Sequence, residues 1–198
     1  MSNDLSPGFA DPVAGAQSCF RAVLDAMARP GTPHAVSGVT APAPLCDAAA
    51  AVVLTLADHE TPLWLDPGVA EARSWIAFHT GAPIVSASQA MFAIGLTLPD
   101  LTTLYDGSDE MPETSATLIL QVTSFSAGLS AGLSAGRRYQ IEGPGLRETG
   151  LLAIDGLPSD FAAIWQRNHA LYPRGIDLIL CAGDRLTALP RGISIKEA

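Results

Sequence analysis

From Asp11 onward, apolar residues recur at three- and four-residue steps: Val13, Ala16, Phe20, Val23, Leu24 and Met27. That spacing predicts a helix with one apolar face. Asp11 suits its cap and Pro12 its first turn, and Pro30-Gly31 stops it. A stretch rich in Pro, Gly and Thr follows, with room for one short strand at 34–37. Residues 45–57 are Ala-rich and predict a largely buried helix, alanine being the best helix former. A short strand at 61–65, a turn at Asp66-Pro67-Gly68 and a third helix over 69–79 come next.

Two more strands are expected at 82–85 and 91–96, then a short amphipathic helix over 98–105. The run Ala-Thr-Leu-Ile-Leu-Gln-Val-Thr-Ser-Phe over 116–125 is the strongest strand signal and reads as a strand buried on both faces. Three Ser-Ala-Gly units over 126–136 offer no bulk to pack and predict a flexible hairpin tip. A strand over 137–142 returns from it. A helix over 157–171 is broken by Tyr172-Pro173-Arg174-Gly175. Strands at 176–181 and 185–190 close the series. The alternation predicts an α/β fold, three-layer α/β/α with a mixed central sheet. Residues 1–11 are expected as a flexible lead, 12–192 as a single domain and 193–198 as a tail.

A chain of 198 residues buries roughly 70% of its extended surface, enough for a core without staples. No apolar run approaches the roughly 20 residues of a membrane span, and no secretory signal opens the chain. Cys19, Cys46 and Cys181 are odd in number and far apart, so free buried thiols and a reducing cytoplasm are expected. The formal charge of -9 disfavours a nucleic-acid partner.

The cations change the picture most. There is one lysine, Lys196, against ten arginines. A pyridoxal phosphate enzyme needs a buried lysine and a P-loop needs one after its glycines. Neither has one here, and no cofactor is expected. The glycine-rich stretch lacks the Gly-Lys-Ser/Thr ending of a phosphate cradle, and no Gly-X-Ser-X-Gly elbow supports serine hydrolysis. The four histidines show no metal-ligand spacing, and no metal is expected. His79 stands where it can pair with a helix's carbonyl end, and Asp58-His59-Glu60 reads as a solvated turn. The acidic loop 106–113 reads as solvated too. Guanidinium groups grip phosphate-type oxygens in pairs. Arg21, Arg174 and Arg191, with His79, are the candidate anion-binding residues; ordinary ion pairs with the many acids are the other reading of each arginine.

Several segments stand in order along nearly the whole chain: Phe20-Arg21-Ala-Val-Leu-Asp-Ala-Met27-Ala-Arg-Pro30-Gly31, Leu54-Thr-Leu-Ala57-Asp58 with Thr61-Pro62-Leu-Trp64, and Phe78-His79-Thr80-Gly-Ala82-Pro83. Pro112-Glu113 with 116–122, Pro173-Arg-Gly175-Ile-Asp177-Leu-Ile-Leu180 and Leu189-Pro190-Arg191 complete the series. Together they resemble the PhnH family. The Ser-Ala-Gly repeat departs from the pattern as an inserted extension. The resemblance implies a fold similar to the large domain of PLP-dependent transferases, without PLP. It implies a subunit of the carbon–phosphorus lyase machinery, acting with PhnG, PhnI and PhnJ subunits on alkylphosphonate and ATP. It also implies a homodimer in isolation. The alternative is a scaffold subunit with no ligand site, docking through an exposed helix face or a hairpin over 117–142.

Overall fold

The computed structural model describes residues 6–128 and 136–198. Helix α1 (Pro12–Ala28) starts as its sequence predicts, with Asp11 Oδ1 accepting from the amides of Val13 and Ala14. Helix α2 (Asp47–Leu56) is buried on all sides from Ala48 to Val53. Helix α3 (Arg73–Thr80) follows a 3₁₀ turn and ends at Gly81, whose φ of 68° is the left-handed cap glycine tolerates best. Helix α4 (Phe161–His169) is shorter than predicted.

The main sheet has six strands in the order β1-β9-β8-β4-β3-β2. These are β1 (His34–Ala35), β2 (Leu63–Leu65), β3 (Phe92–Gly95), β4 (Thr117–Gln121), β8 (Asp177–Ala182) and β9 (Arg185–Leu189). Strands β2, β3, β4 and β8 run parallel, and β9 and β1 add antiparallel to the β8 side. The sheet is mixed, as expected. Residues 82–85 supply only a bridge from Ile84 to Leu63, and 98–105 only a 3₁₀ turn at Leu101–Thr103.

Alternate residues of the central strands feed two cores, as the pleat dictates. Ile94, Ile119, Ile179 and Cys181 face the core under α1, α2 and α3. Ala93, Leu118, Leu120, Leu178 and Leu180 face the other. Here the architecture differs from a plain α/β/α sandwich. The second core is shared with a four-stranded antiparallel sheet, β10-β6-β7-β5, and with α4. Its strands are β5 (Ser124–Ala127), β6 (Arg137–Glu142), β7 (Gly150–Asp155) and β10 (Ser194–Glu197). The strand expected over 116–125 is two strands in two sheets. Val122 still bonds to Cys181 of β8, and Thr123 already bonds to Asp155 of β7. Among the described residues no hairpin pairing joins 117–125 to 137–142: β5 and β6 each pair with β7. Of the flexible tip expected over 126–136, Ser126 and Ala127 belong instead to β5, and 129–135 lie outside the described residues.

The described residues are tied down at both ends. Ser194–Glu197, expected as a tail, pairs with β6, so Lys196 lies on a strand beside Gln140 and is exposed. The Ser6 carbonyl accepts from Trp75 Nε1, and Phe9 is buried. The α1 pattern also needs correcting. Cys19, Val23 and Ala26 face the core, whereas Val13 (81% exposed), Phe20 and Leu24 point outward. Spacings of seven and four put these three on one outer stripe. The helix is apolar on two sides, which a list of apolar positions merges into one.

Candidate functional site

Helix α4 runs into a tight turn. Leu171, Tyr172 and Arg174 donate backbone bonds to Asn168, His169 and Leu171, and the Tyr172-Pro173 peptide is cis. Buried Asn168 then acts as a substitute strand partner. Its Nδ2 donates to Ile176 O at 2.9 Å, and its Oδ1 accepts from Ile176 N at 2.7 Å. The turn therefore has a fixed exit into β8.

Beside this turn lies a cleft of about 550 Å³, at the amino ends of β4 and β8 and the carboxyl end of β9. Met27 and Ala28, Pro112 and Glu113, Tyr172 and Pro173, Asp177, and Pro190 and Arg191 line it. All of these but Tyr172 come from four of the segments that carry the sequence resemblance. Gly145 completes the wall at φ +86°, and a Cβ there would collide with the Ala28 carbonyl oxygen. Only glycine lets these two backbones approach so closely.

Arg191 dominates the polar chemistry of the cleft. Its Nε donates to Asp177 Oδ1 at 3.1 Å and its Nη2 to Asp177 Oδ2 at 2.5 Å, a bidentate pair. Its Nη1 donates to the Pro112 carbonyl at 2.6 Å. Its backbone N–H donates to Asp177 Oδ1, and its carbonyl accepts from His169 Nδ1. Every nitrogen of this side chain is in use. It stitches α4, β8, β9 and the acidic loop together rather than waiting for an anion.

Arg174 makes a second clamp. Its guanidinium lies 3.6 Å from Asp106 and 3.2 Å from Asp109, while Gly175 N donates to Asp106 O. The turn 171–175 and the acidic loop thus form one ridge. On its far side a hollow of about 330 Å³ has Leu101, Leu104, Ile164, Leu171 and Ile176 in its lining.

The four candidate residues do not converge. His79 lies near neither clamp: its Nε2 meets Ser6 O at 3.0 Å, and its ring packs on Trp75 and Phe78. It holds the N-terminal segment instead of capping its own helix. Arg21 is exposed on α1 and has no ion-pair partner among the described residues. Sequence reasoning missed Asp177, Asn168 and His169 as partners. Asp177 sits inside the quoted motif, but its place at the start of an apolar strand masked it.

The remaining expectations are quickly placed. Burial pushes the thiols of Cys19, Cys46 and Cys181 upward, all three being free. The Thr61 hydroxyl holds the exposed Asp58 carboxylate below its usual range in a solvated turn. Among the described residues no three His, Cys, Asp or Glu side chains gather as a metal site. No helix among the described residues is long and apolar enough to cross a membrane.

The chain that forms this cleft is matched by a family model over nearly its whole length. The model described as bacterial phosphonate metabolism protein (PhnH) covers residues 7–196. The chain belongs to the PhnH family. It is similar to the alpha-D-ribose 1-methylphosphonate 5-triphosphate synthase subunit PhnH of Rhizobium meliloti (strain 1021), at 42% identity over 204 positions. That alignment takes in 100% of this chain and 98% of the relative. It is also similar to the putative C-P lyase subunit protein HtxG of Stutzerimonas stutzeri, at 28% identity over 91% of this chain and 85% of that protein.

The electrostatics narrow what a PhnH cleft of this kind can do. Glu113 and Asp177 face a single guanidinium already bound to one of them. A phosphonate or triphosphate entering here meets net negative charge. At the other end of the sheet, where open α/β sheets usually bind ligands, Leu96, Gln121, Val122, Thr123 and Gly156 line a hollow of only about 190 Å³. Gln121 is committed there to Cys46 N and Pro44 O. That hollow holds no charged side chain.

Proposed function

We propose that this chain is a subunit of a ribose 1-methylphosphonate 5-triphosphate synthase in the carbon–phosphorus lyase system. It acts in the cytoplasm with PhnG-, PhnI- and PhnJ-like subunits. The complex transfers an alkylphosphonate to the ribose of ATP: a phosphonate oxygen bonds to the anomeric carbon and adenine leaves. The observation that carries this reading is the full-length relationship to the Rhizobium meliloti subunit. Its fold is read as a relative of the PLP-transferase large domain that works without the cofactor. Deleting the gene is expected to abolish growth on methylphosphonate as the only phosphorus source while leaving growth on phosphate intact. Unimpaired growth on methylphosphonate would remove the proposal.

Within the complex, the scaffold role is favoured over a substrate site of its own. The support is that every side-chain nitrogen of Arg191 is hydrogen-bonded to Asp177 or Pro112, and that Arg174 is ion-paired with Asp106 and Asp109. Arg21 and His79 lie elsewhere and do not complete an anion cradle. Calorimetry with ATP and with methylphosphonate on the isolated chain is expected to give no binding heat. Millimolar or tighter binding of either would restore the substrate-site reading.

In isolation the chain pairs with a second copy through the outer stripe of α1. Val13, Phe20 and Leu24 supply an apolar seam, and Arg21 lies one helical turn from Asp25. Two such helices packed antiparallel bring Arg21 of each copy toward Asp25 of the other. Phe20→Ser with Leu24→Ser is therefore expected to convert a dimer into a folded monomer, read by light scattering. A dimer that survives both changes removes this pairing.

A further inference from the structure

We propose that the ridge made by residues 105–113 and 171–175 is a docking surface for a partner protein with an apolar centre and an arginine- or lysine-lined rim. The inference rests on the subunit role proposed above and names the surface through which it is exercised. Tyr105, Met111, Leu171 and Tyr172 are all exposed, Tyr172 by 64% and Met111 by 52%. Solvent-facing apolar side chains are ordinary when scattered. These are not scattered. The ion pairs of Arg174 with Asp106 and Asp109, with the hydrogen bonds from Gly175 to Asp106 and from Arg191 to Pro112, tie both segments into one strip. Pockets flank the strip on both sides, one with Tyr172 on its wall and the other with Leu171.

Rigidity and concavity are what a hot-spot surface needs, because preorganised anchors lose little freedom on binding. Aromatic residues and methionine are the types enriched at interface centres. Charge then selects the occupant. Asp100, Asp106, Asp109, Glu110 and Glu113 lie on or beside the strip, against Arg167 and Arg174. The excess of three negative charges disfavours an acidic partner, a second copy of this chain among them. It favours a basic rim that meets Glu110 and Glu113 and steers the encounter.

The test uses the unaltered chain co-expressed with the PhnG, PhnI and PhnJ subunits. Two variants are compared with it, Met111→Ser/Tyr172→Ser and Glu110→Lys/Glu113→Lys. All four side chains reach solvent, so thermal midpoints are expected to stay close to that of the unaltered chain. The apolar pair is expected to weaken assembly by at least about 30-fold, the scale of one hot spot. The charge reversal is expected to weaken it most at low salt, and added salt to weaken the native complex. Hydrogen exchange of the native complex is expected to show protection at 105–113 and 171–175. Normal assembly by both variants, or protection confined to other segments, overturns the docking surface and leaves the subunit role standing. Ridge protection in the chain alone, lost with dilution, assigns the ridge to a second copy and overturns the basic partner. An unaltered chain that joins none of the three subunits overturns the subunit role itself.

Discussion

Arg191→Ala is expected to lower stability by about 3–5 kcal/mol, the range for breaking a buried pair from one side. The side chains of Arg191 and Asp177 are 14% and 13% exposed, so solvent screens this pair little. The change leaves the Asp177 carboxylate with the residue 191 backbone N–H as its remaining donor of those described, and it strips the Pro112 carbonyl of its guanidinium donor. The adjoining cleft admits water to the bared groups, which pulls the loss toward the lower end. The exposed Arg29–Asp25 pair, one helical turn apart, gives the contrast: removing it is expected to cost only about 0.3–0.5 kcal/mol. Arg191→Lys restores the charge but not the two parallel bonds, so it recovers less than half of the loss. Thermal unfolding reads the ladder, with Arg191→Ala lower by on the order of 10 °C. A loss below about 1 kcal/mol would mean that the pair behaves as a surface contact and does not hold the acidic loop.

The residue pattern exposed the main sheet well, for a physical reason. Runs such as Thr117–Gln121 and Asp177–Ala182 are apolar on both faces, and only a central, mostly parallel strand demands that. The second sheet was harder to see. β7 follows Gly143-Pro144-Gly145 with one apolar run, Leu151 to Ile154, that fits several elements. β10 is four residues at the end of the chain, where half of the side chains face solvent. The switch between sheets at Val122-Thr123 leaves no turn signal, because the strand bends without reversing. For α1, apolar residues at helical spacing cannot say how many faces are covered; that depends on what packs nearby. The cleft was partly legible. Pro112-Glu113, Asp177 and Pro190-Arg191 all stand in the segments that carry the family resemblance, yet nothing in their order reveals that Arg191 closes on Asp177. A guanidinium reads the same in sequence whether it waits for a phosphonate or holds a carboxylate. Only the distances separate the two.

Trp165→Ala is expected to cost about 3–5 kcal/mol, the usual range for emptying a buried aromatic site. Trp165 is fully buried, stacks near Phe161 at 6.1 Å between centroids, and donates Nε1 to Ile193 O at 2.7 Å. Its ring fixes α4 against β10, and its N–H satisfies the carbonyl that leads β10 into the sheet. Trp165→Phe separates these two roles. The phenyl ring keeps much of the packing, but the Ile193 carbonyl loses its donor, at about 1–3 kcal/mol. The order of stability expected from urea unfolding is therefore wild type, then Phe, then Ala. Equal losses for Phe and Ala would place the whole effect in the hydrogen bond. The consequence for function follows from the chain path. α4 ends at His169 and hands directly to the turn 171–175, whose geometry it sets through Asn168. A loosened α4 releases one half of the ridge. Trp165→Ala is thus expected to speed amide exchange across 171–175 and to weaken assembly although no partner touches the tryptophan.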